Sequence, residues 1–433
     1  MTTLAADRMD AQPASLRQWL AQGHPWALAL YGGLASFSAY FSMYAFRKPF
    51  TAATYADVQG WEGVVDFKIA LVIAQVAGYA LSKLIGVKVV SEMAASRRGV
   101  AIVGLVAFSW VALVLFAVLP TQWKVAALFF NGLPLGMIWG LVFGYIEGRR
   151  TSEVLAAILC ASFIVSSGVV KSVGLWLMTV VHVGEFWMPA ATGLLFLPLL
   201  LVSVIGLAQL PPPSAQEQAE RMARPPMPAE ARRAFLREYG PGVALLVFAY
   251  VLFTALRDLR DNFAAEIWTE LGYAGVSEVF TASEVPVAVV TLLILASLVL
   301  VRDNRRALMA VHAIVMAGAL LIGLSTLAFQ FAMISPLAWM ILSGLGLYLG
   351  YAPFNAMLFD RLVAASRTAG FLIYVADASG YAGSVALTLL RNVPGVTLDW
   401  LHFFIWLAYA SAGICVAMMA GSALYFGKRL ARP

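Results

Sequence analysis

Long apolar stretches alternate with short polar breaks along almost the whole chain. After a polar start, runs of about 20 mainly apolar residues recur, which is the length that a helix needs to cross the hydrocarbon core of a bilayer. The alternating ten-residue pattern of a membrane β-barrel does not occur in the sequence. The pattern therefore predicts an all-α integral membrane protein.

The breaks divide the apolar runs into twelve predicted spans, numbered 1 to 12 here. Spans 1 to 6 cover 27–50, 67–90, 99–119, 125–146, 153–178 and 187–210. Spans 7 to 12 cover 241–265, 277–301, 307–330, 335–359, 368–390 and 399–426. We therefore predict two six-helix bundles, 1–210 and 241–433, joined by a cytoplasmic linker over 211–240. The linker opens with three prolines and is either a solvated connection with short amphipathic helices or a regulatory segment.

The composition excludes several classes of protein. The hydrophobic set makes up 61% of the 433 residues and only 12% are charged, whereas a soluble domain carries about 25% charged residues. Two cysteines in apolar segments and four scattered histidines do not form a metal site. Nucleotide loops, Ser-His-Asp sets and paired catalytic carboxylates are missing from the sequence, so we predict neither an enzyme nor a bound cofactor.

The basic residues are distributed unevenly. If both termini are cytoplasmic, 20 of the 29 lysines and arginines fall in cytoplasmic segments, as the positive-inside rule requires. This explains the net charge of +6 without a nucleic-acid partner. The polar N-terminus has no cleavage pattern, so the first run is predicted to be a retained span. Arginine outnumbers lysine 22 to 7, which favours a GC-rich bacterium, and we expect a monomer in its inner membrane.

Two matches indicate an internal repeat. Arg47–Ala52 and Arg260–Ala265 both read R-x-x-F-x-A. Gly132 and Gly344 each open a G-L-x-L stretch, and an arginine follows each glycine at the same spacing. Both matches relate the two halves by nearly the same shift along the chain. Such agreement, with six spans on each side of a linker, predicts parallel repeats around an axis along the membrane normal. Two such halves can rock and expose a midplane site to each side in turn, which is typical of a carrier.

Several ionisable residues lie inside predicted spans. Each costs about 2.5–3.5 kcal/mol at the bilayer centre on insertion scales and therefore needs a partner or a water-filled cavity. Basic groups predominate, so a cavity that they line would attract an anion, and arginine binds phosphate or carboxylate with two parallel donors. The set comprises Arg47, Lys48, Lys83, Lys171, Arg257, Asp258, Arg260, Asp261, Glu284 and Asp377.

Some of these charges have simpler explanations. Arg257 and Asp261 stand four apart on a helix and could neutralise one another. Arg47 follows the uncharged run Trp26–Phe46, which is long enough to cross the bilayer, so that Arg47 could anchor the outer end of its span. Lys83 and Lys171 could lie near an interface, with the side chain extended toward water.

Asp377 is harder to explain as a structural residue. Its flanks, Ile373–Ala376 and Ala378–Tyr381, contain no base. It therefore needs a partner on another helix or exists to be protonated, since burial disfavours the carboxylate anion. We predict a role in proton coupling for Asp377.

Four stretches of the chain resemble the major facilitator superfamily, and within it the organophosphate:phosphate antiporters that carry glycerol phosphate and hexose phosphates. They are Tyr44–Phe50, Tyr79–Gly86, Ala255–Arg257, and Ala369–Phe371 with Gly380–Ala386. The resemblance implies the major facilitator fold, with twelve helices in two pseudo-symmetric bundles. It also implies that spans 1 and 7 continue past Arg47 and Arg257, which would place Arg47 inside the membrane.

The resemblance also implies roles for individual residues. Arg47 and Arg257 match two arginines that hold the phosphate between them near the midplane. Lys83 matches a lysine near that site, and Glu284 falls where the family has an acidic residue in span 8. With Arg260, Lys171 and Tyr44, these form the predicted substrate-binding set, and Glu284 joins Asp377 as a candidate for proton coupling.

The sequence departs from the superfamily between spans 2 and 3. Gly86 is followed four residues later by Val90, where the usual pattern has aspartate. Three functions stay open: a carrier of an organic anion, such as a phosphate ester; a proton-coupled symporter of another anionic or zwitterionic solute; and a transporter-like sensor without net flux.

Overall fold

The computed structural model consists of α-helices joined by short turns. It describes residues 15–56, 58–149, 151–214, 216–217, 229–359, 361–362, 372–391 and 399–430. Within these ranges there is no β-strand, and the all-α prediction is confirmed.

The main helices lie at the positions of the predicted spans. Those of the N-terminal half are Pro25–Tyr44, Phe67–Glu92, Arg98–Val118, Thr121–Leu135 continued by Ile138–Ile146, Ser152–Thr179 and Met188–Ala208. Those of the C-terminal half are Ala229–Asn262, Glu278–Val299, Asn304–Gln330, Pro336–Pro353 continued by the π-helical turn Phe354–Leu358, Leu372–Leu390 and Trp400–Arg429. Shorter helices are Leu16–Gln22, the 3₁₀ turns Pro49–Ala52 and Ala95–Arg97, and Ala264–Glu270.

Ten helices of the described chain are long and apolar enough to cross a membrane. Pro25–Tyr44 and Leu372–Leu390 lie at the predicted positions of spans 1 and 11, so the helices are consistent with twelve spans.

The helix of span 7 begins at Ala229, well before the predicted start at 241. Residues 229–239 are mostly strong helix formers such as Ala, Glu, Arg and Leu, and the helix runs on through Pro241. The expected boundary between linker and second bundle therefore falls inside a continuous helix. Residue 215 and residues 218–228 of the predicted linker lie outside the described residues.

The packing of the helices repeats after six spans. In the N-terminal half, span 4 packs against spans 2 and 3, span 1 against spans 5 and 6, and span 3 against span 6. The C-terminal half has the corresponding contacts, with span 10 against spans 8 and 9, span 7 against spans 11 and 12, and span 9 against span 12. This correspondence supports the predicted parallel repeat.

The two halves meet through spans 5 and 8 and through spans 2 and 11, which are equivalent pairs under the same shift. Small residues permit the close approach. A Cβ atom added at Gly168 of span 5 would lie 2.5 Å from the Phe280 carbonyl oxygen of span 8. Below, "distal end" means the end of the bundle where the helices Pro25–Tyr44 and Ala229–Asn262 terminate, and "terminal end" means the opposite end, from which both helices start.

The outward faces of spans 3, 6, 9 and 12 are apolar. Large side chains exposed there include Phe108, Leu115, Val202, Ile205, Leu320, Leu324, Trp406 and Leu424. Apolar surface distributed over four helices far exceeds the exposed patches of soluble monomers, and a lipid environment accounts for it.

A close backbone contact between spans 9 and 10 gives a stability prediction. A Cβ atom at Gly346 of span 10 would lie 2.5 Å from the Gly318 carbonyl oxygen of span 9. We expect Gly346→Ala to lower the stability of the purified protein by about 1–3 kcal/mol, because two packed backbones must separate. The measurement is the midpoint of thermal unfolding in detergent. Gly413→Ala is the control, since an added Cβ there meets nothing within 4 Å, and equal midpoints for the two variants would contradict the prediction.

Candidate functional site

The first span is broken where its charged residues begin. The α-helix ends at Tyr44, and a turn leads into the 3₁₀ helix Pro49–Ala52. Pro49 contributes to the break, because it lacks an N–H group and its ring excludes the carbonyl one turn earlier. Span 1 therefore continues past Arg47 as a turn and a 3₁₀ helix, whereas span 7 continues past Arg257 as an α-helix to Asn262.

Buried amides support the broken end of span 1. Asn131 Nδ2 donates to the Phe46 carbonyl oxygen at 2.9 Å, and Gln75 Nε2 donates to the Arg47 carbonyl oxygen at 2.8 Å. The two amides are joined at 2.7 Å, and Asn131 Nδ2 also lies 2.6 Å from Ser109 Oγ. Spans 2 and 4 thus satisfy carbonyl groups that the interrupted helix leaves free. Sequence reasoning missed both amides, since an isolated amide in an apolar span has no periodic signature.

Among the side chains that the structure describes, Arg47 has no carboxylate partner, although it is buried. It is 5% exposed, and its Cζ lies 3.7 Å from the centroid of the Tyr79 ring and 5.7 Å from that of Tyr44. None of the ion pairs among the described residues includes it, and its Nε atom is buried without a hydrogen-bond acceptor. The negative faces of tyrosine rings attract the guanidinium group but do not neutralise it.

Arg257 lies in a similar aromatic setting. Its Nη2 atom is 2.7 Å from Asp258 Oδ1, and its Cζ is 4.2 Å from the centroid of the Tyr351 ring. The alternative pairing with Asp261 is not among the ion pairs of the described chain. Arg47 and Arg257 both interact electrostatically with Tyr44 and Tyr381, so the two halves place their arginines around the same tyrosines.

Asp261 joins the two halves on the distal side of these arginines. Its carboxylate forms ion pairs with Lys48 of the N-terminal half and with Lys171 of span 5, and it also accepts a hydrogen bond from Ser167. Lys48 Nζ donates in addition to Asn262 Oδ1 at 2.7 Å. Lys48 and Asp261 are equivalent positions of the repeat, since both follow the arginine of the R-x-x-F-x-A motif. Equivalent residues touch only where the pseudo-symmetry axis passes between them.

A second ion pair joins the halves beside this cluster. Lys68 Nζ lies 2.5 Å from Glu266 Oε1 and donates to the Thr51 carbonyl oxygen at 3.0 Å. Both side chains are largely buried. Sequence reasoning missed Glu266 because it lies beyond the predicted end of span 7.

Two of the predicted residues neutralise each other within the C-terminal half. Arg260 Nη1 lies 2.5 Å from Glu284 Oε1, and Arg260 Nη2 donates to the Met340 carbonyl oxygen at 2.9 Å. Both residues are buried, and Gly344 leaves the space that the guanidinium group occupies. This geometry assigns Arg260 and Glu284 a packing contact between spans 7, 8 and 10.

Lys83 joins the tyrosine cluster from span 2. Its Nζ lies 5.3 Å from the centroid of the Tyr381 ring and 5.7 Å from that of Tyr79. The two rings pack edge to face with centroids 5.5 Å apart, which links spans 2 and 11. Asp377 lies on the helix Leu372–Leu390, but its side chain is outside the described residues.

Comparison with sequence families identifies the chain. A family model matches residues 49–429, so the chain belongs to the family described as "Family of unknown function (DUF5690)". No curated protein matches the sequence.

Solved structures share the fold. A D-xylose–proton symporter aligns with a TM-score of 0.60 and 13% identity, over 94% of this chain and 98% of its own. The peptide transporter POT in complex with sulfate aligns with a TM-score of 0.61 and 14% identity, over 96% of this chain and 99% of its own. The nucleoside transporter NupG aligns with a TM-score of 0.59 and 15% identity, over 91% and 98%. These likenesses show the major facilitator fold, as predicted, and the resemblance to organophosphate antiporters stays a prediction.

The ion pair between Lys68 and Glu266 can be tested by a double-mutant cycle. Lys68→Met leaves a buried carboxylate alone, which typically costs about 3–5 kcal/mol, whereas replacing both charges is close to neutral. We expect Lys68→Met to lower the thermal midpoint of the purified protein clearly and Lys68→Met/Glu266→Gln to restore most of the loss. If the double variant lowers the thermal midpoint by the sum of the decreases caused by Lys68→Met and by Glu266→Gln, the two side chains do not interact.

Proposed function

We propose that the protein is a secondary transporter that carries a small organic anion by alternating access, with Arg47 and Arg257 as its anion-binding pair. The observation that carries the proposal is the buried guanidinium group of Arg47, which pairs with no carboxylate among the described side chains. A cation in this position is costly unless an anion completes the site.

The balance of charge around Arg47 supports an anionic solute. Among the side chains that the structure describes, and leaving Lys83 aside, five cations lie at the centre of the bundle: Arg47, Lys48, Lys171, Arg257 and Arg260. Three carboxylates accompany them: Asp258, Asp261 and Glu284. These described side chains therefore carry two more positive than negative charges, which a doubly charged anion would compensate.

The arrangement around Tyr44 and Tyr381 suits a phosphate ester or a carboxylate. Each arginine offers a planar set of donors to an anion placed between them, and the tyrosine hydroxyl groups are potential additional donors. Burial strengthens these contacts relative to water. Lys83 beside Tyr381 would add a third positive charge at the edge of the site.

The contacts between the halves suit alternating access. Opening the distal end would separate Asp261 from Lys48 and Lys171, and Glu266 from Lys68, while each half keeps its own internal packing. If the termini are cytoplasmic, as the distribution of basic residues predicts, the distal end faces away from the cytoplasm.

The arginine pair is tested by ligand-induced thermal stabilisation of the purified protein. The probes are glycerol 3-phosphate, succinate and inorganic phosphate. Because a hydrogen bond to a charged group contributes about 1.5–3 kcal/mol, we expect Arg47→Ala and Arg257→Ala to weaken binding by about 10-fold or more. Arg47→Lys and Arg257→Lys should also bind the probes weakly, since the point charge of lysine lacks the two-pronged geometry of arginine.

Arg305→Ala is the matched control, because Arg305 is exposed and donates to the Gly427 carbonyl oxygen at the terminal end. It should bind the probes as the unmodified protein does. Two outcomes would overturn the proposal: no anion stabilises the unmodified protein, or both alanine variants bind with unchanged affinity.

We further propose that Asp377 couples transport to protons, since Glu284 is occupied by Arg260. Asp377→Asn cannot bind or release a proton, so uptake into proteoliposomes should lose its dependence on a pH gradient while exchange of internal for external solute persists. Asp399→Asn, at an exposed position, is the control. Gradient-driven accumulation by Asp377→Asn with an unchanged pH profile would assign the aspartate a structural role.

A further inference from the structure

A groove with charged walls lies at the terminal end, between the start of the span 7 helix and the end of the span 12 helix. Its lining, as far as the structure describes it, comprises Glu230, Arg233, Ala234, Arg237, Glu238 and Arg429. Three positive and two negative side chains leave one positive charge in excess. We call it the terminal groove.

Two arginines of the terminal groove are available to a ligand. Arg233 and Arg237 are both exposed, and neither side chain forms an ion pair or a hydrogen bond in the part of the chain that the structure describes. Glu238 Oε1 lies 3.8 Å from Arg429 Nε. Glu230 lies in the first turn of its helix, where the helix dipole stabilises a negative charge. Two guanidinium groups therefore remain open to an anion.

Arg233 and Arg237 begin a strip along one face of the span 7 helix. The strip continues over Pro241, Ala244 and Phe248, at the spacing of three or four residues that places side chains on one face, and all of these residues are exposed. Phe248 is 49% exposed although it is a large apolar side chain. The strip therefore changes from basic to apolar on the way from the terminal end toward the centre of the bundle.

The strip faces away from the interior of the C-terminal half. Tyr250 follows Phe248 by two residues, which turns the helix by about 200°. The Tyr250 ring stacks on the ring of Tyr351 in span 10, with centroids 5.4 Å apart. Phe248 therefore points outward, and in a membrane an outward apolar side chain contacts the acyl chains of lipids.

The contacts between spans 7 and 12 fix the level of the terminal groove. Tyr425 Oη donates to the Glu238 carbonyl oxygen at 2.5 Å, so Arg237 lies near the level of Tyr425. Leu424 is 67% exposed, and Arg429 follows it by about 7.5 Å along the helix axis. The headgroup layer on each side of a bilayer is about 5–8 Å thick. The terminal groove therefore lies where the acyl chains end and the headgroups begin.

We propose that the terminal groove binds the headgroup of an anionic phospholipid, whose acyl chain lies along Pro241, Ala244 and Phe248. The single negative charge of a phosphodiester matches the excess positive charge of the lining, and Arg233 and Arg237 offer donors to its oxygens. A zwitterionic lipid fits less well, since its ammonium group would lie near the same arginines. A free phosphate ion would leave the apolar part of the strip uncovered.

Binding is tested by native mass spectrometry of the full-length protein in detergent, with phosphatidylglycerol and phosphatidylcholine of identical acyl chains as probes. The quantity measured is the dissociation constant of the first lipid bound. Each arginine near an anionic headgroup contributes a factor of about five in affinity. We therefore expect phosphatidylglycerol to bind about 10-fold or more tightly than phosphatidylcholine, and an excess of inorganic phosphate not to displace it.

The double variant Arg233→Gln/Arg237→Gln should bind the two lipids with nearly equal affinity. Arg17→Gln/Arg97→Gln is the matched control, because it removes the same charge from two exposed arginines at the terminal end that do not line the groove. The control should keep the preference for phosphatidylglycerol. All four substitutions are at exposed positions, so both variants should unfold at the midpoint of the unmodified protein.

Four results would overturn the proposal: equal affinities of the unmodified protein for the two lipids, an unchanged preference in Arg233→Gln/Arg237→Gln, an equal loss in the control, or displacement of the lipid by inorganic phosphate. An equal loss in the control would mean that net charge alone attracts the lipid. Displacement by phosphate would make the groove a site for free anions. The measurement involves neither transport nor Arg47 and Arg257, so its outcome is independent of the proposed function.

Discussion

Pairing of charges across the halves is the constraint on which the rest of the structure depends. A lone lysine or carboxylate in the middle of a bilayer is costly, and removing one member of a buried pair costs more than replacing both. Asp261 pairs with two lysines at once, one on span 5 and one at the broken end of span 1. The broken end of span 1 and the close contact of spans 5 and 8 both lie around this carboxylate. Its position sets how near the two halves come at that end.

The sequence predicted the helices, the repeat and the identity of most buried charges. The helices follow from the length of the apolar runs, the repeat from the constant shift between matching motifs, and the buried charges from their positions within the apolar runs. It did not predict which charges would pair. Arg257 and Asp261 stand one turn apart, yet Arg257 contacts Asp258 and Asp261 reaches across to Lys48. The choice depends on which face of span 7 meets the other half, and local spacing carries no information about that.

The break in span 1 likewise could not be predicted from the local sequence. Pro49 is visible in the sequence, but a proline alone does not determine whether a helix kinks or ends. What stabilises the broken form is a pair of amides, Asn131 and Gln75, which come from spans 4 and 2 and satisfy the free carbonyl groups of Phe46 and Arg47. Those spans are far from span 1 in sequence, so the outcome is a property of the assembled half and not of the segment.

The contact between Lys48 and Asp261 has a consequence for the origin of the two halves. These residues occupy the same position of the repeat and meet at the pseudo-symmetry axis, where a protein made of two identical halves would place a residue against its own copy. Two lysines there would repel, and so would two aspartates. The present contact therefore could not have existed in a perfectly duplicated ancestor. It required at least one of the two copies to change at this position after the duplication.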